Sequence, residues 1–180
     1  MYNNPFDKLT KKVSEKLARV IPQGIGRIAV NHFKDSFNMQ RFNDAGSPAW
    51  KQVKRREPDS EWYGFKLGNK ARRPGRKARK PDGKGNFSKA ATTQDILQPT
   101  GKMRDSTFVK SASFREVIIA NSAKQAALMN RGGRFRIFNK TAATMPKRQF
   151  MGKSTRLMGK VKQFVREEIH AAFNDGTRKK

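Results

Sequence analysis

Apolar side chains recur every three or four residues in two stripes near the start of the chain, at 6–20 and at 25–37. That spacing is typical of an amphipathic α-helix. Pro22 lies between the stripes, and a proline inside a helix removes a hydrogen bond and bends the axis. The pattern predicts two helices, or one helix kinked at Pro22, with residues 24–26 (GIG) as a flexible joint between helical segments.

The apolar period stops after Asn38. Residues 51–90 contain 14 Lys or Arg against 4 Asp or Glu, and 70–84 (KARRPGRKARKPDGK) consists almost wholly of basic residues, Gly and Pro. Such a stretch cannot bury enough apolar surface to offset the entropy lost on ordering. We therefore predict a basic extended loop or arm at 51–93, inserted into a single domain that covers residues 1–180.

Two runs rich in β-branched and aromatic residues follow the basic segment, at 107–111 (TFVKS) and 114–120 (FREVIIA). A short polar turn separates them, which predicts an antiparallel hairpin. Asn121 resembles the N-cap of a short helix that passes through Leu128. The alternating run 134–138 (RFRIF) predicts a further strand.

The last apolar stripe predicts a long helix from about Ser154 to Asn174, closed by the Asp-Gly pair at 175–176. Ser154 or Thr155 is suited to cap its first turn. The order of elements predicts an α+β fold, in which the N-terminal helices and a long C-terminal helix pack on a small antiparallel sheet. The stripe consists of Leu157, Val161, Phe164, Val165, Ile169, Ala172 and Phe173.

The net charge limits the range of possible functions more than any other global property of the sequence. The 180 residues include 41 Lys or Arg against 14 Asp or Glu, which gives a net charge of +27. A protein so basic attracts polyanions or acidic protein surfaces, although a merely solvated basic surface is the alternative. No apolar run approaches the about 18 residues of a membrane-spanning helix, so no membrane partner is expected.

Catalytic chemistry has little support in the sequence. Residues 151–155 (MGKST) resemble the end of a phosphate-binding loop, but Lys147 stands where that motif needs its first glycine. His32 and His170 have no Cys and no carboxylate cluster beside them, so each is expected to be a satisfied histidine on a helix face. The acidic residues are scattered singly. We expect no enzyme activity, no cofactor and no metal.

The basic arm is the one stretch with a direct binding mechanism. Lys and Arg neutralise phosphates and release counterions, which gives affinity without sequence readout. Trp62, Tyr63 and Phe65 lie just before the most basic part of the arm, 70–84, and either stack on bases or pin the base of the loop to the fold. The candidate residues for contact with DNA or an acidic partner are Arg72, Arg73, Arg76, Lys77, Arg79 and Lys80.

Four segments in order carry a resemblance to a known family: 45–51 (AGSPAWK), 96–106 (ILQPTGKMRDS), 126–133 (AALMNRGG) and 145–152 (MPKRQFMG). Together with the final helix they resemble the virion morphogenesis, or tail completion, family of tailed bacteriophages, including Mu-like phages. The chain departs from the family pattern at 128–130, where Leu-Met-Asn replaces the usual aromatic and histidine positions.

The resemblance implies a structural virion protein at the head-proximal end of the tail, which completes or terminates the tail and joins it to the head. It implies a homo-oligomeric ring, typically a hexamer, with the tail tube and head–tail connector proteins as partners and possible non-specific contact with genomic DNA. The protein would reside in the host cytoplasm during assembly and in the neck of the virion afterwards.

The resemblance also suggests which residues hold the fold or the ring interface: Trp50, Leu97, Gly101, Arg148 and Phe150. For Trp50 and Phe150, plain core packing is the alternative to an interface role. The alternative function for the whole chain is a monomeric, basic nucleic-acid-binding module.

Overall fold

The first two helical stripes form one continuous helical segment in the computed structural model, which describes residues 5–60, 62–64, 88–97, 101–137 and 141–177. Helix α1 (Pro5–Glu15) leads into a π-helical stretch (Lys16–Val20) and then into α2 (Ile21–Met39). The backbone N–H of Ile21 donates to the carbonyl of Lys16, five residues earlier. This wider turn lies just before Pro22 and lets the helix continue past a residue that has no N–H to donate.

The predicted joint at residues 24–26 is wrong, because both glycines lie buried inside α2. A Cβ on Gly24 would lie 2.2 Å from Cζ of Phe164, and a Cβ on Gly26 would lie 2.8 Å from a methyl group of Val109. Residues two apart on a helix point about 200° apart. The two glycines therefore let α2 approach other parts of the fold on nearly opposite sides.

The described residues after α2 confirm the α+β class and form two separate two-stranded antiparallel sheets. Strands β1 and β2 pair from Thr107↔Asn121 to Ala112↔Val117 with an irregularity between Val109 and Ser111, and β3 and β4 pair from Gly133↔Met145 to Ile137↔Thr141. The elements after α2 are a 3₁₀ turn (Lys54–Arg56), α3 (Lys89–Thr93), α4 (Lys102–Asp105), β1 (Thr107–Ala112), β2 (Val117–Asn121), α5 (Ala126–Arg131), β3 (Gly133–Ile137), β4 (Thr141–Met145) and α6 (Thr155–Thr177).

One local expectation about these elements needs correction. Asn121 does not cap α5, whose N-cap residue is Gln125. Instead the Asn121 amide donates to the carbonyl of Met103 at 2.7 Å and to Oγ1 of Thr107 at 2.8 Å, so it ties the end of β2 to α4. The predicted strand near 134–138 is present, and it pairs with β4, a strand that the sequence pattern did not indicate.

Helix α6 begins where the sequence predicts, since the Ser154 hydroxyl accepts the backbone N–H of Leu157 at 3.1 Å. It packs along both α1 and α2, and Lys16 pairs with Glu168 at 2.7 Å. Helix α2 also contacts β1 and β2. The long helices thus lie together, with the first hairpin on another side of α2.

Two buried clusters form the core and share the half-buried Met151. One contains Ala29, Phe33 and Phe42 and receives Leu157 of α6. In the other, the ring centroid of Phe37 lies 4.9 Å from that of Phe150 and 5.7 Å from that of Trp50. The members of this larger cluster are Phe37, Trp50, Ile96, Met103, Ala126 and Phe150.

The close approach of α2 to α6 at Gly24 generates a prediction. Gly24→Ala is expected to destabilise the protein, because relieving the contact with Phe164 costs about 1–3 kcal/mol. The matched change Gly159→Ala, in α6, adds a methyl group with nothing within 4 Å and should stabilise the protein by about 0.5–1 kcal/mol. Urea unfolding measures both, and equal stabilisation by the two changes would contradict this packing.

Candidate functional site

The six basic residues predicted to contact DNA or an acidic partner, Arg72, Arg73, Arg76, Lys77, Arg79 and Lys80, lie outside the described residues, as does Phe65. What the structure describes is the base of the arm. The backbone N–H of Gly64 donates to the carbonyl of Arg55 at 2.9 Å, and that of Ser88 donates to the carbonyl of Gly64 at 2.8 Å. The two chain ends that flank residues 65–87 therefore meet at one place on the fold.

The side chain of Arg55 fastens this base. Its guanidinium donates to the carbonyls of Ala91 at 3.2 Å, Gln94 at 3.0 Å and Asp95 at 2.9 Å, which lie at and just beyond the C-terminal end of α3. Burial and the neighbouring charge of Arg56 lower the pKa of Arg55. The outgoing and returning limbs of the arm are thus held together by a partly buried cation bound to backbone carbonyls.

Trp62 and Tyr63 lie beside this base. Trp62 is 38% exposed and borders a cavity of about 460 Å³ with Lys54, Glu57 and Asp59. The backbone N–H of Tyr63 donates to the carbonyl of Ser60 at 2.9 Å. Both aromatic residues thus belong to the turn at the base of the arm, and Trp62 keeps part of its ring on the surface.

Arg148 is a second cation that binds backbone carbonyls, and it is 5% exposed. Its guanidinium donates to the carbonyl of Lys51 at 3.1 Å and 3.2 Å and to that of Gln52 at 3.3 Å. Burial, with a smaller effect from Arg55, lowers its pKa. Arg148 therefore holds the segment before α6 to the segment that leads into the arm.

Trp50 and Phe150 lie in the core, 6% and 1% exposed. The indole Nε1 of Trp50 donates to the carbonyl of Gln149 at 2.8 Å. The side-chain oxygen of Asn130 accepts the backbone N–H groups of Phe150 and Met151, each at 2.9 Å. Sequence reasoning had marked Asn130 only as a departure from the family pattern, and here it fixes the segment that carries Phe150.

Leu97 and Gly101 flank the three undescribed residues before α4. Leu97 packs partly buried against the larger core cluster, with a positive φ of 62°. Gly101 has a φ of 67° and its carbonyl accepts the backbone N–H of Asp105 at 3.0 Å. Only glycine adopts this left-handed backbone without cost, so Gly101 is suited to begin the short helix that leads to β1.

The turn after α2 holds the start of α6, an arrangement that sequence reasoning did not predict. The carboxylate of Asp44 accepts Oγ1 of Thr155 at 2.8 Å and the backbone N–H groups of Thr155 and Arg156 at 3.2 Å. These hydrogen bonds hold the pKa of Asp44 well below its ordinary value. Ser154 donates its hydroxyl to the carbonyl of Asn43 at 3.2 Å, so residues 154–155 belong to a helix cap, as the sequence predicted.

His32 differs from the satisfied histidine that the sequence predicted. It is 1% exposed, and its Nδ1 lies 3.3 Å from the side-chain nitrogen of Asn43. Its Nε2 has no hydrogen-bond partner among the described residues. Burial and the charge of Lys160 lower the pKa of His32. His170, by contrast, lies exposed on α6.

The first hairpin leaves three large apolar side chains exposed. Val109 and Ile119 point to α2, while Phe108 and Ile118 point away from it and are 43% and 36% exposed. Phe114, in the turn between the strands, is 69% exposed. We call Phe108, Phe114 and Ile118 the hairpin face.

Within the described ranges, no group of three His, Asp or Glu side chains is placed to hold a metal ion, and no helix is long and apolar enough to span a membrane. The chain matches no protein-family model, and neither the curated proteins nor the solved structures yield a match.

The environment of His32 predicts a pH dependence of stability. Because its pKa is lowered in the folded state, the unfolded chain binds the proton more readily and the free energy of unfolding falls as the pH drops below about 6.5. The nearby Asp35 and Asp44 oppose the shift only in part. Urea unfolding at pH 7 and pH 5 should show a smaller loss for His32→Leu than for the wild type. The exposed His170→Gln should keep the wild-type loss, and an unchanged loss in His32→Leu would contradict the prediction.

Proposed function

We propose that this chain is a non-enzymatic structural subunit of a tailed-bacteriophage virion. It acts at the head-proximal end of the tail, in tail completion or termination and head–tail joining, by forming a ring of identical copies. Its partners are the tail tube and connector proteins, with genomic DNA as a further, non-specific contact.

One observation carries the proposal: the four segments on which the family resemblance rests converge on the larger core cluster. The first supplies Trp50, the second Ile96 and Met103, the third Ala126 and the fourth Phe150. The segments are far apart in sequence, yet each buries a side chain in the same cluster. This convergence supports treating them as one structural pattern rather than four unrelated similarities.

The exposed surface supports an assembly role. A ring needs each copy to present a patch that a neighbour covers, and the hairpin face exposes two phenylalanines and an isoleucine. Phe108 and Ile118 lie on the same side of neighbouring strands, and exposed apolar side chains that are grouped commonly mark interaction surfaces. We assign the contact between copies to the hairpin face.

The net charge requires a further partner in the assembly. Copies that each carry +27 repel one another, so a ring is stabilised by DNA or by acidic neighbours. The residues that flank 65–87 meet at the base of the arm, where Gly64 and Ser88 are hydrogen-bonded, so both ends of the basic arm have a defined origin on every subunit. The arm is the element that we propose reaches the polyanionic or acidic neighbour.

The ring predicts a discrete oligomer by native mass measurement, either for the free chain or for the chain added to purified tails. Phe108→Ser/Ile118→Ser should abolish it, because the change removes apolar area from the contact. Met39→Ser, at a residue 42% exposed near the end of α2, is the matched control and should leave the oligomer intact. A chain that stays monomeric in both settings and shifts DNA at low salt would instead be a nucleic-acid-binding module.

The proposed role of the arm in joining heads to tails leads to a separate prediction. Deleting residues 70–84 should reduce the joining of heads to tails, counted by electron microscopy of particles. Replacing the six basic candidate residues by Gln keeps the length of the arm and removes their positive charge, so this variant should reproduce the defect. The six residues are Arg72, Arg73, Arg76, Lys77, Arg79 and Lys80. Normal joining with both variants would refute the role of the arm.

A further inference from the structure

Strands β3 and β4 form a two-stranded ribbon whose two faces differ. Arg134 lies opposite Thr144 across the strands. Arg136 lies opposite Ala142, and all four side chains are exposed. Because side chains alternate between the two faces of a strand, these four share one face, which we call the arginine face. Phe135 lies on the other face, where it is half-buried.

The base of the ribbon is fixed by backbone contacts at the end of α5. The backbone N–H of Gly132 donates to the carbonyl of Leu128 at 2.7 Å, and that of Arg148 donates to the carbonyl of Met129 at 2.8 Å. Gly132 has a φ of 70°, and a Cβ there would lie 2.8 Å from the backbone nitrogen of Lys147. Among the described elements, each strand of the ribbon packs chiefly against the other. The ribbon therefore has a fixed base, while its arginine face stays exposed.

The ribbon lies in the most one-sidedly charged part of the sequence. Between Glu116 and Glu167 the chain has no Asp or Glu, although Lys and Arg recur throughout this stretch. Within the described part of the chain, neither Arg134 nor Arg136 forms an ion pair. The arginine face thus presents two guanidinium groups whose charge no described carboxylate neutralises.

We propose that the arginine face lies in the major groove of double-stranded DNA. That groove is about 12 Å wide and admits a two-stranded β-ribbon, whose strands lie about 5 Å apart. Arg134 and Arg136 are about 7 Å apart along their strand, so both can reach the same stretch of groove. A guanidinium donates two parallel hydrogen bonds to a phosphate or to the edge of a guanine. The small side chains of Ala142 and Thr144 leave room for the second strand to approach the bases.

Other polyanions match the ribbon less well. In double-stranded RNA the major groove is deep and narrow, and side chains cannot read it. An acidic protein surface is attracted by the charge alone and has no groove that the width of the ribbon fits. The contact is separate from the arm and from the hairpin face, and it requires neither the ring nor a phage particle.

The probes are a DNA duplex and an RNA duplex of equal length, about two helical turns each, titrated with the full chain by fluorescence anisotropy at about 0.15 M salt. The RNA duplex measures the attraction that any polyanion feels for so basic a chain. We expect the chain to bind the DNA duplex about tenfold more tightly than the RNA duplex, because only DNA offers the ribbon an accessible major groove.

Variants locate the contact on the ribbon. Arg134→Gln/Arg136→Gln changes two exposed side chains, so the fold, checked by circular dichroism and urea unfolding, is expected to persist while the preference for DNA over RNA is lost. Arg19→Gln/Arg27→Gln removes the same charge from two exposed arginines of the long N-terminal helical segment and is the matched control. It should weaken the binding of both duplexes alike and keep the preference for DNA.

Chemical protection reports the groove itself. Dimethyl sulfate methylates N7 of guanine, an atom that lies in the major groove. At concentrations of chain that saturate the DNA duplex, the wild type and the control variant should protect guanine N7 from methylation. Arg134→Gln/Arg136→Gln should leave it reactive.

Equal affinity of the wild type for the two duplexes would overturn the proposal, because the positive charge would then act without the groove. So would guanine N7 that is unprotected by the wild type, or protected as well by Arg134→Gln/Arg136→Gln. The variant of the arm with six Gln substitutions should bind both duplexes more weakly and still protect guanine N7 at saturation. Failure of the arm or of the ring therefore does not imply failure of the ribbon contact.

Discussion

The packing of Trp50 and Phe150 against Phe37 is the interaction on which the rest of the fold depends. Trp50 and Phe150 are far apart in sequence, yet their rings meet the same residue of α2, and the indole of Trp50 donates to the carbonyl next to Phe150. Asn130 holds the backbone of this segment. The contact places both the start of α6 and the beginning of the arm, because each follows closely in sequence from one of the two aromatic residues.

Two arginines, the buried Arg148 and the half-buried Arg55, connect this aromatic packing to the base of the arm. Arg148 binds the carbonyls of residues 51 and 52, and Arg55 binds those at the end of α3. A guanidinium offers five donors in a fixed plane, so it can join several carbonyl groups where a lysine ammonium is a compact point charge. These two cations therefore serve the fold, and a role for the other basic residues in attracting a partner belongs to the proposed function.

The sequence predicted what depends on local periodicity and missed what depends on contacts between distant segments. The stripes of α2 and α6 and the first hairpin follow from side-chain spacing. The role of Gly24 could not be predicted, since it depends on Phe164 lying against it. Asp44 holds the start of a helix far along the chain, and β4 (Thr141–Met145) has no clear alternation of its own but forms by pairing with β3. The sequence pattern is compatible with either a core or an interface role for Trp50 and Phe150, and their burial in the larger core cluster shows that both pack in the core.

The most direct test of the proposed function is an electron-microscopic reconstruction of a phage particle assembled with this chain. If the proposed function is right, the reconstruction shows a ring of this fold at the head-proximal end of the tail, with the hairpin face between neighbouring copies and the arms directed to DNA or to acidic connector surfaces. Particles that contain no copy of the chain, together with a solitary soluble protein in uninfected cells, would contradict it.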